Sequence, residues 1–429
     1  MRQMKDSGIE WIGEIPEGWE VIRYKHICQI LTGFPFKSDC FSNYSGVPLI
    51  RIRDITSGAI ETFYTGQFDK AYLIKKGTIL IGMDGDFNIR LWDNEDALLN
   101  QRCCAIYENK KSIKKFLFYT LPFGLNQINK LKYATTVKHL SSNDILNLCA
   151  PFPPLSEQQR IADYLDAKCA HIDQCLELTR QSMEKLRAYK LSCITEAVTK
   201  GLDPDVPLKD SGVPWISQIP AGWECTRLMT LCSEISTGPF GSQLHAEDYV
   251  ENQTPLINPS NINNFRIEAN YKCTLDSNTV SRLKRHTLYT GEIIFARRGE
   301  MGRCALVEKQ HEGFICGTGC LKASIKKDIN QYYLIYYLQA KFVPYFLEYS
   351  SVGTTMNNLN SKTIASIPVT LPPLPEQKHI AAYLDKKCAR IDALLEEKQA
   401  LLDKLAEYKK SLIFECVTGK REVPSCWNR

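Results

Sequence analysis

Apolar positions between residues 165 and 197 recur at alternating steps of four and three: Leu165, Cys169, Ile172, Leu176, Thr179, Met183, Leu186, Lys190, Cys193 and Ala197. That spacing is the seam of a coiled coil. The surrounding stretch, Pro153 to Thr199, has no proline after its opening and is rich in Leu, Ala, Glu, Lys and Gln, so it predicts one uninterrupted helix. The pattern is then written again. Leu384, Cys388, Ile391, Leu395, Lys398, Leu402, Leu405, Lys409, Leu412 and Cys416 keep the same register within Pro372 to Thr418. Overlaid without a gap, the copies agree at roughly 26 of about 47 positions, far beyond chance for an internal match. Two seams in one chain can pair at a small crossing angle. At about 1.5 Å per residue each helix is expected to be roughly 65 Å long. Lys190 and Lys409 interrupt both seams at the same place, either as polar residues that fix register or as solvated stems.

The duplication extends beyond the helices. DSGIEWIGEIPEGWEVIRY, from Asp6 to Tyr24, returns as DSGVPWISQIPAGWECTRL, from Asp210 to Leu228. Trp11, Ile15, Pro16, Gly18 and Trp19 thereby match Trp215, Ile219, Pro220, Gly222 and Trp223. Prolines and glycines set turns, and the tryptophans have apolar faces to bury, so these segments read as clasps against the helix pair.

Between opening segment and helix lie Arg23 to Phe152 and Arg227 to Thr370, which agree only in outline. Each has a Thr-Gly turn with Pro and Phe (Thr32 to Phe36; Thr237 to Phe240), then a strand-like run, VPLIRIRDI from Val47 and TPLINPSNI from Thr254. A second run, GTILIG from Gly77 and GEIIFA from Gly291, feeds a polar loop: MDGDFN at Met83 to Asn88, RRGEMGR at Arg297 to Arg303. An aromatic helical segment follows, KKFLFYTL from Lys114 and QYYLIYYL from Gln331, then Thr135, Thr136 and Thr354, Thr355. Strands first and one helical segment later describe a mixed α/β globule of about 130 to 150 residues. The expected division is 1–152 (opening segment and first globule), 153–200 (first helix), 201–370 (linker, opening segment and second globule) and 371–429 (second helix and tail). A framework kept alike around globules allowed to differ suggests two reading heads for two different ligands.

At 429 residues the chain suits two to four domains. A net charge of +5 permits a polyanionic partner without demanding one. Seventeen cysteines, several on the helical seams and an odd number, read as buried reduced thiols of a cytoplasmic protein. Cys316 and Cys320 lack the second pair that zinc requires, so no metal is expected. No apolar run approaches the roughly 20 residues of a membrane span.

These motifs together resemble the specificity subunit of type I restriction-modification enzymes, over essentially the whole chain. The resemblance rests on PPLSEQQRIADYLDAKCAHID and PPLPEQKHIAAYLDKKCARID at the helix starts and on EWIGEIPEGWE and PWISQIPAGWE before the globules. STGPFGSQL and IIFARRGEMGRCALV in the second globule complete it. It implies an α+β fold: two mixed α/β target recognition domains separated by two long helices that form an antiparallel coiled coil, a pseudo-twofold internal repeat. It implies that each domain reads one half of a bipartite, asymmetric double-stranded DNA site and that the helices set the spacer. The chain would do no chemistry and bind no cofactor itself. It would dock two modification subunits, adenine-N6 methyltransferases using S-adenosylmethionine, and through them restriction subunits that use ATP and Mg2+. Half-sites about one duplex turn apart leave a spacer of about six base pairs.

Arg and Lys suit guanine O6 and N7, Asn and Gln suit adenine, and carboxylates accept from amino groups. The candidates for base readout are Lys37, Asp84, Asp86, Asn88, Gln101, Arg102 and Lys138 in the first globule. In the second they are Ser242, Asn258, Asn261, Arg297, Arg298, Arg303 and Asn357. Lys75, Lys76, Arg282, Lys284 and Arg285 suit phosphates, which position a protein without conveying sequence. An enzyme and a protein-binding scaffold are the other classes open to such a chain. The chain contains neither an N-P-P-F or D-P-P-Y motif nor a P-loop, and the Glu396 to Lys398 triplet falls on the predicted helix face. The alternative to DNA reading is a coiled-coil scaffold that binds only proteins.

Overall fold

The computed structural model describes residues 2–131, 138–240, 243–350 and 359–424. Thr135, Thr136, Thr354, Thr355, Ser242 and Asn357 lie outside the described residues. The chain forms two compact units, Met1–Thr179 with Ala400–Arg429, and Arg180–Gln399. Each long helix, Leu155–Lys200 and Leu374–Val417, is unbroken and contributes one half to each unit. The linear order of segments therefore does not mark the compact units.

In the first unit Leu165, Cys169, Ile172 and Leu176, from the start of one long helix, share an apolar cluster with Leu402, Leu405, Leu412 and Cys416 from the end of the other. In the second unit the roles reverse, with Leu384 and Cys388 clustered with Ile194, Ala197 and Val198. Start meets end in both, so the helices pair antiparallel. Met183 and Ile391 are also buried, and Leu186 and Leu395 are half-buried. The seam lysines are neither buried nor free. Lys190 bonds Asp392 and Lys409 bonds Asp173, two cross-helix ion pairs at equivalent positions.

One tryptophan of each opening segment, Trp19 and Trp223, clasps the helix pair; of the other matched pair Trp11 is half-buried and Trp215 is exposed. Trp19 is buried, and a buried indole N–H needs an acceptor. It finds Glu157 Oε2 at 3.0 Å in the first turn of one long helix, where a carboxylate also suits the helix dipole. The same indole lies against Gly419 at the end of the other helix, whose φ of +74° favours a glycine. Trp223 repeats this with Glu376 Oε2 at 3.0 Å and Gly201. The next residue in each copy, Gln158 or Gln377, is buried and accepts the backbone N–H of Ile113 or Asn330 at 2.9 Å, tying globule to helix. That accounts for the identical Glu-Gln pairs at the helix starts.

The two globules share a four-stranded antiparallel sheet, and each has a second sheet, of five strands in the first and four in the second. In the first unit Ile89–Leu91, Ile79–Gly82, Cys103–Glu108 and Cys28–Thr32 form one antiparallel sheet in that order, matched in the second by Cys304–Leu306, Ile293–Ala296, Cys320–Ile325 and Cys232–Thr237. A second sheet pairs Val47–Ile50 in parallel with Ala97–Leu99, and Thr254–Ile257 with Ile315–Cys316. The strand-like runs end earlier than their sequences suggested. After Ile50 the chain turns into a helix, Ile52–Ser57, because the buried Asp54 carboxylate accepts the Arg51 N–H at 2.9 Å. Asn261 does the same for Asn258 at 3.0 Å in the second unit. The aromatic segments are helical, Lys114–Leu131 in one and Gln331–Leu338 followed by Phe342–Ser350 in the other.

Among the described residues the cysteines are free thiols, and no cluster of His, Cys, Asp and Glu could hold a metal. Burial pushes the Cys28, Cys103 and Cys316 thiols up to about 12, far from the reactive range. No helix among the described residues is long and apolar enough to cross a membrane.

Candidate nucleic-acid interface

The polar loops at the ends of the sheet strands are drawn together by backbone hydrogen bonds. In the first unit the Met83 N–H donates to Arg102 O (2.8 Å), Leu140 N–H to Met83 O (2.7 Å) and Gly85 N–H to Lys138 O (3.2 Å). Three separate pieces of chain thus meet at one place. The Thr-Gly turn lies over them, with the Gly33 N–H on Cys103 O at 2.9 Å and its Cα so close to Asn100 that an added Cβ would sit 1.9 Å from the Asn100 carbonyl oxygen. Only glycine permits that approach.

The second unit builds the same junction with different side chains. Arg297 N–H donates to Gly319 O and Leu359 N–H to Arg297 O, both at 2.9 Å, and Gly238 packs on Gly317 as Gly33 does on Asn100. Met83 is therefore equivalent to Arg297, Asp84 to Arg298, and Arg102 to Gly319. The scaffold of the two loop clusters coincides, and their chemistry does not.

Within the first cluster Asp84, Arg102 and Lys138 are brought together, and His139 joins them. One nitrogen of that ring, Nδ1, lies 2.7 Å from Asp84 Oδ1 and 3.2 Å from Arg102 Nη1, and Arg102 Nη1 is itself 3.6 Å from Asp84 Oδ1. Asp86 and Gln101 are exposed beside them, and Asn88 is exposed with its amide on Thr56 Oγ1 at 3.1 Å. Lys37 is exposed farther along the Thr-Gly loop, after Phe36, whose ring packs on Phe34 and Tyr64. His139 was missed in the sequence, where it is one more polar residue after Lys138.

Within the second cluster the Arg297 guanidinium lies 5.0 Å from the Phe240 ring centre and donates Nε to Leu359 O at 3.0 Å. Burial first, and the charge of Arg298 second, lower its pKa from the usual arginine value. Arg298 is exposed. Arg303 turns inward, with Nη2 on Arg298 O at 3.1 Å and Nη1 on Ile262 O at 3.5 Å, so it braces the loop. Asn258 is half-buried against Gly317. Asn261 is buried with Oδ1 on its own turn and Nδ2 on Glu268 O, which leaves its amide no reach outward. Phe240 joins this cluster through that packing and was not among the residues the sequence nominated; the Pro-Phe of the Thr-Gly turn was its only signal.

Of the residues assigned to phosphate, Lys75, Lys76, Lys284 and Arg285 are exposed. Lys284 and Arg285 sit in a short turn that His286 ties to the Thr-Gly loop through Nδ1 and Thr237 O at 2.9 Å. Arg282 is engaged by Asp248 Oδ1 at 2.7 Å and by Gln243 O at 3.0 Å.

The fold is thus α+β, with two domains that carry unlike loop clusters on shared scaffolds and an antiparallel helix pair that contributes to both. The family model for the type I restriction modification DNA specificity domain matches the chain twice, over residues 16–188 and 220–404. The chain therefore belongs to the specificity subunits of type I restriction-modification systems, the non-catalytic members of those assemblies. It is 30% identical over 398 residues to the type I restriction enzyme EcoBI specificity subunit of Escherichia coli, covering 91% of this chain and 84% of that one. The EcoKI specificity subunit of E. coli strain K12 is 23% identical over 406 residues, covering 89% and 84%. Among solved structures, a chain from a study of complex assembly and conformational transition of the type I R-M system superposes with a TM-score of 0.71 at 20% identity, covering 95% of this chain and 99% of that one. The HsdS subunit from Thermoanaerobacter tengcongensis does so at 0.51 and 19%, covering 95% and 98%.

Proposed function

We propose that this chain selects the DNA sequence on which a type I restriction-modification complex acts, with each unit reading one half of a bipartite, asymmetric double-stranded site. The observation that carries this is the pairing of equal loop scaffolds with unequal side chains: Asp84, Arg102 and His139 in one, Arg297 over Phe240 with Arg298 exposed beside it in the other. A protein with one ligand has no use for two chemistries at one scaffold. Exposed Lys37, Asp86, Asn88 and Gln101 join the first reading surface, and Lys75, Lys76, Lys284 and Arg285 supply phosphate contacts.

The continuous antiparallel helices set the spacer between half-sites, and the helices with their tryptophan clasps dock two modification subunits. S-adenosylmethionine, ATP and Mg2+ belong to those partners and to the restriction subunits, in the cytoplasm. The test is to reconstitute the chain with its modification subunits and sequence the methylated positions on genomic DNA. A split motif with unlike halves is expected, and four residues inserted at Gly201 should change its spacer. A continuous motif, or an unaltered spacer, contradicts the respective claim. Binding should also weaken steeply with salt, as phosphate contacts require; a protein-only scaffold has no such slope.

A further inference from the structure

Arg102 occupies a backbone position built for glycine. Its φ is +69°, in the left-handed region that side chains disfavour, at the tip of the turn between Ala97–Leu99 and Cys103–Glu108. The equivalent residue in the sister globule, identified by its carbonyl accepting from the first residue of the polar loop, is Gly319. Gly319 is not itself left-handed, but a Cβ there would come within 2.7 Å of Pro259, so the two tips differ in backbone and the second is closed to a side chain by its neighbour. The first globule thus carries an arginine, in a backbone conformation that side chains rarely adopt and that Phe87 in the neighbouring loop shares, where its twin has none; a retained left-handed residue of this kind motivates a functional reading.

The side chain is also aimed. The guanidinium is about half exposed, and Nη1 is flanked by Asp84 Oδ1 and His139 Nδ1, from two other pieces of chain. That arrangement limits its rotamers while leaving its remaining N–H groups outward. An arginine so held presents the paired donors that match O6 and N7 of guanine in the major groove. The sister globule supplies its arginine from another strand, at Arg297, where the first has Met83.

We infer that Arg102 is the specificity-determining residue of the first unit and reads a guanine, with Asp84 and His139 as positioning residues. This rests on the DNA-reading function proposed above. The test uses the reconstituted complex of this chain with its modification subunits and a DNA library randomised in one half-site at a time. Arg102→Gly is the decisive variant, because glycine suits the backbone and folding is spared. It should erase a preference of roughly tenfold or more for guanine at a single position of one half-site and leave the other half-site unchanged. Replacing that guanine by 7-deazaguanine should weaken the wild type and have no further effect on Arg102→Gly. His139→Ala should reduce the preference yet keep the sensitivity to 7-deazaguanine, which a merely structural role would not do. Guanine preference intact in Arg102→Gly, or binding weakened alike for all sequences, overturns the inference and leaves the proposed function standing. A wild-type complex without sequence preference overturns both.

Discussion

Lys190 Nζ lies 2.7 Å from both carboxylate oxygens of Asp392, across the interface between the two long helices. Lys409 holds Asp173 in the same way, at 2.6 and 2.7 Å. A seam lysine that must find one carboxylate on the opposing helix penalises any slipped register. Both pairs are partly exposed, so each contributes on the order of 0.5 kcal/mol rather than several. Lys190→Asp and Asp392→Lys are expected to lower stability by about 1 kcal/mol each, by setting like charges together, and the double exchange should recover most of the loss. Denaturant titration of the four proteins measures the coupling. Additive losses would remove the register role.

The carboxylate under Trp19 makes the clasp sensitive to acid. Burial alone would raise the pKa of Glu157, but its bonds to Arg2 and Trp19 outweigh that and hold it below the ordinary glutamate value. A depressed acid contributes stability above its unfolded value of about 4.3, and that contribution disappears as pH falls through the lower folded value. Glu157→Gln should therefore be the less stable protein at neutral pH, with the difference closing below about pH 4. Thermal melting across pH 3 to 7 checks it; a difference independent of pH would refute the linkage.

In the core of the second globule Lys322 and Glu292 form an ion pair at 3.2 Å, with Lys322 also on Thr287 O and Glu292 receiving Ser324 Oγ and the Tyr289 N–H. Their side chains are only 6% and 7% exposed. Removing one partner of such a pair strands a buried charge, so Lys322→Ala should cost about 3 kcal/mol. The sister sheet has Ala105 and Thr78 in these places. Hence Lys322→Ala with Glu292→Thr should recover much of that loss in a denaturation measurement.

Gly33→Ala puts a methyl group 1.9 Å from a carbonyl oxygen that belongs to the turn bearing Arg102. The backbone must move, at a cost of about 1 to 3 kcal/mol. Methylation mapping should show degraded recognition in the half-site of the first unit with the other half intact. Gly238→Ala should do the converse, since it stands in the same relation to Gly317.

Much of the framework was legible because a repeat states its own importance. The matched seams exposed both helices, and the matched tryptophans exposed the clasps, since burial demands apolar surface at regular spacing. The Glu-Gln pairs were visible as repeats, yet their roles needed the partners they bond, 138 residues apart for Trp19 and Glu157. The loop clusters were harder. Arg102, Asp84 and Lys138 could be nominated by residue type, while nothing in the order of residues distinguished them from Asn261 and Arg303, which the fold turns inward.

By itself, then, the sequence determined the helices, their shared register and the existence of two unlike globules, because periodic burial and duplication are local properties that a chain carries along its length. Only the tertiary structure decided which helix half belongs to which compact unit, which loops meet, and which polar side chains still face outward. Those depend on hydrogen bonds between residues distant in the chain, such as Met83 to Arg102 and Leu140 to Met83, and no local pattern encodes them.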